Sequence, residues 1–232
     1  MCIAIYKPVG FILTPDTITQ SWNHNNDGAG FMYAENGKLI ITKGLMTLNE
    51  FNVAYEPHKE KDCVLHFRIK THGNKDKENT HPFQVDQDLG VVHNGIISQV
   101  DTSLDVTKSD TWHFTETHLH EFRINNPRFF LNPTYKALIE SYIGLSKLIF
   151  MDQEGNVEIF NESKGVWDSG CWFSNKSYLE TKRIVPKQTK FDSFEHNRWQ
   201  TFNKESNYIA KLPLKRKGMI SGDTCRVIHP FM

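Results

Sequence analysis

The apolar residues of this chain fall in short runs: CIAIY at 2 to 6, GFMY at 30 to 33, KLIIT at 38 to 42 and CVLHFRI at 63 to 69. Each run is rich in β-branched or aromatic residues and reads as a strand. LGVVHNGIIS at 89 to 98 sets Asn94-Gly95 between two apolar stretches, a hairpin or tight-turn signal because both residues tolerate positive φ. A second hairpin is predicted within SKLIFMDQEGNVEIF, 146 to 160. Helices are predicted over 47 to 55, where Thr47 and Glu50 have capping-box spacing, over 110 to 122 behind Ser109, and over 134 to 142. Hairpins mixed with helices, without regular strand–helix–strand alternation, predict a layered α+β fold rather than a doubly wound parallel sheet.

With 232 residues, the usual domain size favours one main domain, over 2 to 181, and an appendage, 182 to 232. The hydrophobic fraction of 38% is too high for a disordered chain. No apolar run approaches the ~18 residues that span a bilayer, and no basic leader is seen, so a cytoplasmic protein with no membrane partner is expected. Formal charge is zero overall but unevenly spread. Residues 182 to 232 hold 11 Lys+Arg against 4 Asp+Glu, so the last fifth is a basic extension on an acidic domain. Of four scattered cysteines, Cys63 and Cys171 read as buried small hydrophobes, and no CxxC pair suggests zinc or redox chemistry.

Cys2 carries the chemistry. Cysteine is small enough for methionine aminopeptidase to remove Met1, which would leave an α-amino group and a thiol on one residue. With reference pKa values of about 7.7 to 8.0 and about 8.5, the amine can accept the proton that the thiol gives up. N-terminal nucleophiles are activated in this way. Taken alone, Cys2 reads more readily as the start of a buried strand, since free cysteine is commonly buried.

Polar motifs interrupt the apolar runs farther along. HFRIKTHG at 66 to 73 ends in Thr71-His72-Gly73 and puts Arg68 in a strand; NTHPF follows at 79 to 83. VVHNGII at 91 to 97 puts His93-Asn94-Gly95 at a turn, and KSDTWHF at 108 to 114 puts Asp110 at a helix start. In this ordered set the chain resembles the class II glutamine amidotransferases, the glutaminase branch of the N-terminal nucleophile (Ntn) hydrolases. The likeness runs from residue 2 to about 180, because GCWFSNKSY at 170 to 178 looks like the closing strand of short family members.

The resemblance implies a four-layer α/β/β/α sandwich and a stand-alone glutaminase that hydrolyses L-glutamine through a Cys2 thioester. It implies no cofactor for this half-reaction, and ammonia passed to a separate synthetase or ligase. Arg68 would pair with the α-carboxylate, aided by main-chain groups of Thr71 and His72, and Asp110 with the α-ammonium. A planar guanidinium suits a carboxylate, although a structural salt bridge or helix cap is the everyday use of such residues. Asn94 and Gly95 would form the oxyanion hole, where turn chemistry is the plainer alternative. Asp27 and Gly28, in NHNNDGAGF at 23 to 31, would approach the site, although that segment lacks the Arg-Gly loop of many members.

Other readings compete. His66, His72, His81 and His93 lie within 28 residues, but no H-x-x-x-H helical pair accompanies them, so no metal site is expected. An amidase for another γ-glutamyl or amide substrate, or a catalytically idle binding module, would use the same fold. The extension, with Phe191, Phe194, Trp199, Phe202 and Tyr208, suits partner docking or folding back on the acidic domain; nucleic acid is the weaker option.

Overall fold

The computed structural model describes residues 2–179. The expected extension at 182 to 232 lies outside the described residues. Among those described, strands and helices build an α+β protein with two antiparallel sheets.

The first sheet has six strands in the order β3-β2-β4-β1-β10-β9. They are β1 (Ile3–Lys7), β2 (Ala29–Glu35), β3 (Lys38–Leu45), β4 (Cys63–Phe67), β9 (Val166–Asp168) and β10 (Cys171–Phe173). The second has the order β5-β6-β7-β8, from β5 (Phe83–Asp86), β6 (Leu89–Asn94), β7 (Lys147–Asp152) and β8 (Val157–Phe160).

The runs are apolar on both faces because both faces of each sheet are covered. Alternate residues of a strand point to opposite faces. In β1, Ile3 and Ile5 join a cluster with Ile18, Phe51 and Tyr55, whereas Ala4 joins one with Val92, Ile149 and Met151 of the other sheet. In β7 the same alternation sends Ile149 and Met151 to that inter-sheet cluster, and Leu148 and Phe150 to a third with Phe114, Leu119, Ile139 and Ile143. Each fully buried Phe or Ile contributes roughly 1.5–3 kcal/mol by transfer from water.

Helices cover the outer faces. On the first sheet lie α1 (Pro15–His24), capped by Thr14, and α2 (Leu48–Tyr55), where Thr47 and Glu50 form the expected capping box. On the second, α3 (Asp110–Phe114) continues through a π-helical stretch (Thr115–Leu119) into α4 (His120–Asn125), and α5 (Pro133–Ile143) follows. Together α3 and α4 match the helix expected behind Ser109, and α5 the one expected over 134 to 142.

The hairpin within 146 to 160 is present as β7–β8. The one considered at Asn94-Gly95 is a turn. Instead of folding back on itself, β6 pairs with β5 and β7, and Ile97 leaves the sheet to donate its N–H to Asp110. Gly95 has φ +144°, and a Cβ there would lie 2.2 Å from Ser146 Oγ, so the chain can turn here only as glycine. Arg68 stands one residue beyond β4 rather than within it. No helix of the described residues is long and apolar enough to cross a membrane.

Candidate active site

In the first sheet β1 and β4 run antiparallel with Ile3 opposite Phe67, so the residues flanking that pair, Cys2 and Arg68, emerge at one end of the sheet. The second sheet brings Asn94 and Gly95 to the same end from β6, and Ser109 caps α3 so that Asp110 faces them. Cys2, Arg68, Thr71, His72, Gly95 and Asp110 line one cleft, together with Ile69, His81, His93, Ser109 and Thr111. Of the expected catalytic and substrate-binding residues only Asn94 is outside this lining, as are Asp27 and Gly28, which were expected to approach the site.

Cys2 is partly exposed. Its thiol donates to Ile69 O at 3.2 Å, and Ile69 N–H donates to Sγ at 3.3 Å. Burial pushes the thiol up from its ordinary pKa, while the Ile69 N–H and the nearby Arg68 guanidinium pull against that shift. The Cys2 carbonyl oxygen accepts from two side-chain amides, Asn94 Nδ2 and, at 2.7 Å, Asn175 Nδ2. Asn94 is fully buried and its Oδ1 has no partner among the described residues.

Arg68 and Asp110 are buried charges, 2% and 4% exposed. Arg68 gives one N–H each to Asn74 O and His72 O, both at 2.9 Å, which ties the guanidinium to the 71–74 turn. Asp110 Oδ2 accepts from Ile97 N and Oδ1 from Thr111 N. Among the described residues neither forms an ion pair within 4.0 Å, with each other or with anything else. Buried charges are normally paired, so this cleft holds a cation and an anion each short of a counterion. Burial lowers the Arg68 pKa, and Cys2, Asp27, Asp76 and Asp110 act against that.

Asp27 and Gly28 support the site from behind. Gly28 O accepts from Arg68 N, Asp27 N donates to Arg68 O, and the Asp27 carboxylate accepts from Lys70 N at 2.8 Å. They fix the main chain of Arg68 without lining the cleft. Thr71 and His72 are exposed at its rim, and the Gly73 turn packs on 107–109, where a Cβ would lie 2.7 Å from the Lys108 carbonyl carbon.

The sequence reading gave no role to Asn79, Thr111 or Asn175. Fully buried Asn79 accepts from Ser109 N at 2.8 Å and donates to Thr107 O at 2.8 Å, so the NTHPF segment fastens the start of α3 and with it Asp110. Its place in a family-like motif was the available signal. Thr111 Oγ1 is shared by His81 Nε2 at 3.2 Å and His93 Nδ1 at 2.8 Å, and His66 Nε2 bonds His93 O at 3.0 Å.

These three imidazoles are buried, and burial lowers all their pKa values, that of His66 to about 3. They are structural and neutral. Among the described residues no group of His, Cys, Asp and Glu could hold a metal ion. Cys63 and Cys171 are buried, as expected.

No family model matches the chain. It is 33% identical over 91 residues to the glutamine–fructose-6-phosphate aminotransferase (isomerizing) of Shewanella oneidensis, a match covering 38% of this chain and 15% of that enzyme. To the probable enzyme of the same name in Acanthamoeba polyphaga mimivirus it is 31% identical over 93 residues, covering 37% of this chain and 15% of the relative. The chain thus matches well under two thirds of these relatives' length. Among solved structures it is similar to the glutamine phosphoribosylpyrophosphate amidotransferase of B. subtilis, with a TM-score of 0.39 and 16% identity over 74% of this chain and 40% of that one. Over about 90 residues the chain is thus similar to part of the glutamine–fructose-6-phosphate aminotransferases, in keeping with the class II glutamine amidotransferase resemblance of its motifs.

Proposed function

We propose that the domain, residues 2 to 181, is an Ntn-type α/β/β/α sandwich that hydrolyses the side-chain amide of L-glutamine and supplies ammonia to a separate synthetase or ligase. The observation that carries this reading is the pair of unpaired buried charges, Arg68 and Asp110, in the cleft that also exposes Cys2. An α-amino acid is a zwitterion. Its carboxylate gives Arg68 the counterion it lacks, and its ammonium does the same for Asp110. A substrate so held presents its side chain to the thiol. The names of the relatives, which couple glutamine to fructose-6-phosphate, support an acceptor for the nitrogen.

Chemically, the α-amine of a processed Cys2 takes the thiol proton as sulfur attacks the amide carbon. Asn94 and the Gly95 N–H hold the resulting oxyanion, with main-chain groups of Thr71 and His72 completing the carboxylate pocket. The ammonium form of Cys2 protonates the leaving nitrogen, ammonia departs, and a glutamyl thioester remains. Water, activated by the same amine, releases glutamate and restores the thiol.

The test is direct. Intact mass should show the purified protein without Met1, and Cys2→Ala should lower ammonia release from glutamine at least about 1,000-fold, as removal of a nucleophile does in other hydrolases. Full activity with Met1 in place would overturn the mechanism.

A further inference from the structure

Asn175 touches the nucleophile's main chain from a direction the proposed chemistry does not use. It follows β10, where Ser174 N donates to Ala4 O and Ala4 N to Ser174 Oγ, both at 2.9 Å, so residues 174–175 run alongside the start of β1. The Asn175 amide has a fixed orientation. Its Oδ1 accepts from Ser177 N at 2.9 Å, so Nδ2 faces the Cys2 carbonyl. Ser177 Oγ in turn accepts from Asn25, which is fully buried and also bonded to Ser21 O at 2.9 Å. A chain of hydrogen bonds from α1 therefore holds Asn175 in place.

A carbonyl oxygen has two lone pairs, and here Asn94 and Asn175 supply one donor to each. Asn94 Nδ2 carries two N–H groups, so one can stay on the Cys2 carbonyl while the other serves as the side-chain donor expected at the oxyanion. That sharing works only while the Cys2 carbonyl keeps its place, and Asn175 is the second side chain that holds it. The geometry points to Asn175 as a positioning residue for the nucleophile: it keeps the Cys2 peptide in register with the Asn94 amide and with the reacting carbon. This inference rests on the proposed role of Cys2. It also links Asn175 to the thiol, because the register of residue 2 sets the Ile69 N–H···Sγ contact at 3.3 Å, which favours thiolate.

Two variants separate positioning from simple stability. Asn175→Ala removes donor and acceptor, whereas Asn175→Asp keeps an acceptor for Ser177 N, removes the donor and sets a negative charge against the Cys2 carbonyl. Both should lower kcat about tenfold or more with KM for glutamine within about twofold, since a small displacement of a reacting group costs rate rather than binding. Independently of glutamine, Asn175→Ala should move the midpoint pH of Cys2 alkylation by iodoacetamide upward, as Sγ slips from the Ile69 N–H. Wild-type kcat together with a wild-type alkylation midpoint would overturn the inference. So would loss in the Ala variant alone, which would assign Asn175 to its turn with Ser177. If Cys2→Ala still hydrolyses glutamine, the proposed nucleophile fails instead, and the alkylation midpoint judges Asn175 by itself.

Discussion

The two ends of the β1–β4 pair each bring a thiol beside a buried cation, yet only one end has the makings of a site. At one end Lys7 stands opposite Cys63, with Cys171 on the adjacent strand. Lys7 is fully buried, and its ammonium donates to Lys59 O at 2.8 Å and Phe11 O at 3.2 Å. At the other end Cys2 and Arg68 extend the same two strands past Ile3 and Phe67. Both cations bond main-chain carbonyls, and burial lowers the pKa of both. The difference lies in access and in what is left over. Cys63 has no exposed surface, whereas Cys2 opens on a cleft where Asp110 supplies a second, opposite, unpaired charge. A thiol next to a cation is therefore not enough. The chemistry needs an opening and unused binding capacity at the same place.

The largest expected effect contrasts the thiols directly. Burial pushes Cys63 up to about 12, and burial also raises Cys171. Near pH 7.5, a thiol with a pKa of about 12 is ionised roughly 1,000-fold less than an ordinary one of about 8.5, and only thiolate reacts. Burial raises Cys2 as well, but Cys2 opens on the cleft and Cys63 has no exposed surface, so iodoacetamide should alkylate Cys2 at least about 100-fold faster than Cys63 in the native protein, read by peptide mass spectrometry. Equal rates at the two would mean that the Lys7 end opens as readily as the cleft, and the comparison would collapse.

Next in size is the division of labour within the cleft. Arg68→Gln and Asp110→Asn each remove a charge that a zwitterion would meet, and hydrogen bonds to charged groups are worth about 1.5–3 kcal/mol, so KM should rise about 10- to 100-fold with kcat less affected. Asp110→Asn keeps an acceptor for Ile97 N, which limits structural damage. Asn94→Ala should instead lower kcat about 100-fold, the usual loss for one oxyanion donor. Steady-state kinetics on glutamine would show a reversed pattern if the binding and oxyanion roles were exchanged.

The contrast also explains what could be read from the sequence. Strand positions followed from β-branched and aromatic runs, and the Thr47 cap from local hydrogen-bonding rules. α1 was not read, although Thr14-Pro15 gave a cap followed by a first-turn proline, because its apolar periodicity is weak and only Ile18 and Ser21 are buried. β5 was not anticipated because it is only four residues long, and its neighbour is chosen by the tertiary fold. In the cleft, Cys2, Arg68, Gly95 and Asp110 were legible because family-like motifs carried them. Asn175 was not. Its partner is Cys2, 173 positions away, and nothing local in GCWFSNKSY encodes a contact made by closing a sheet.

The smallest effect, and the one that sharpens the comparison most, is acid lability at the site end. His66 and His93 stand on β4 and β6, and His81 just before β5, all buried behind the cleft. Burial lowers each; Lys43 and Arg68 add to that for His81, and Lys147 for His93, where Asp110 acts in the opposite sense. Unfolded imidazoles titrate near 6.5, and His66 in the folded protein only at about 3. Below about pH 6.5 the unfolded chain thus binds protons that the native protein refuses, and stability falls as pH falls. Asp27, whose pKa is lowered because the Lys70 N–H and Lys75 outweigh burial, contributes stability that is lost only as pH drops below the ordinary carboxylate range. The window between about pH 6.5 and 4 therefore belongs to histidine, at about 1.4 kcal/mol per pH unit for each excluded proton. Urea midpoints should decline from pH 7 to 5, and His66→Gln, whose amide can still donate to His93 O, should make the decline shallower by about one proton's worth. Hydrogen exchange should quicken at Ile69 and Ile97 before it does at Lys7 and Cys63. Uniform loss of protection, or stability independent of pH across this window, would show that the two ends of the sheet do not differ in this way.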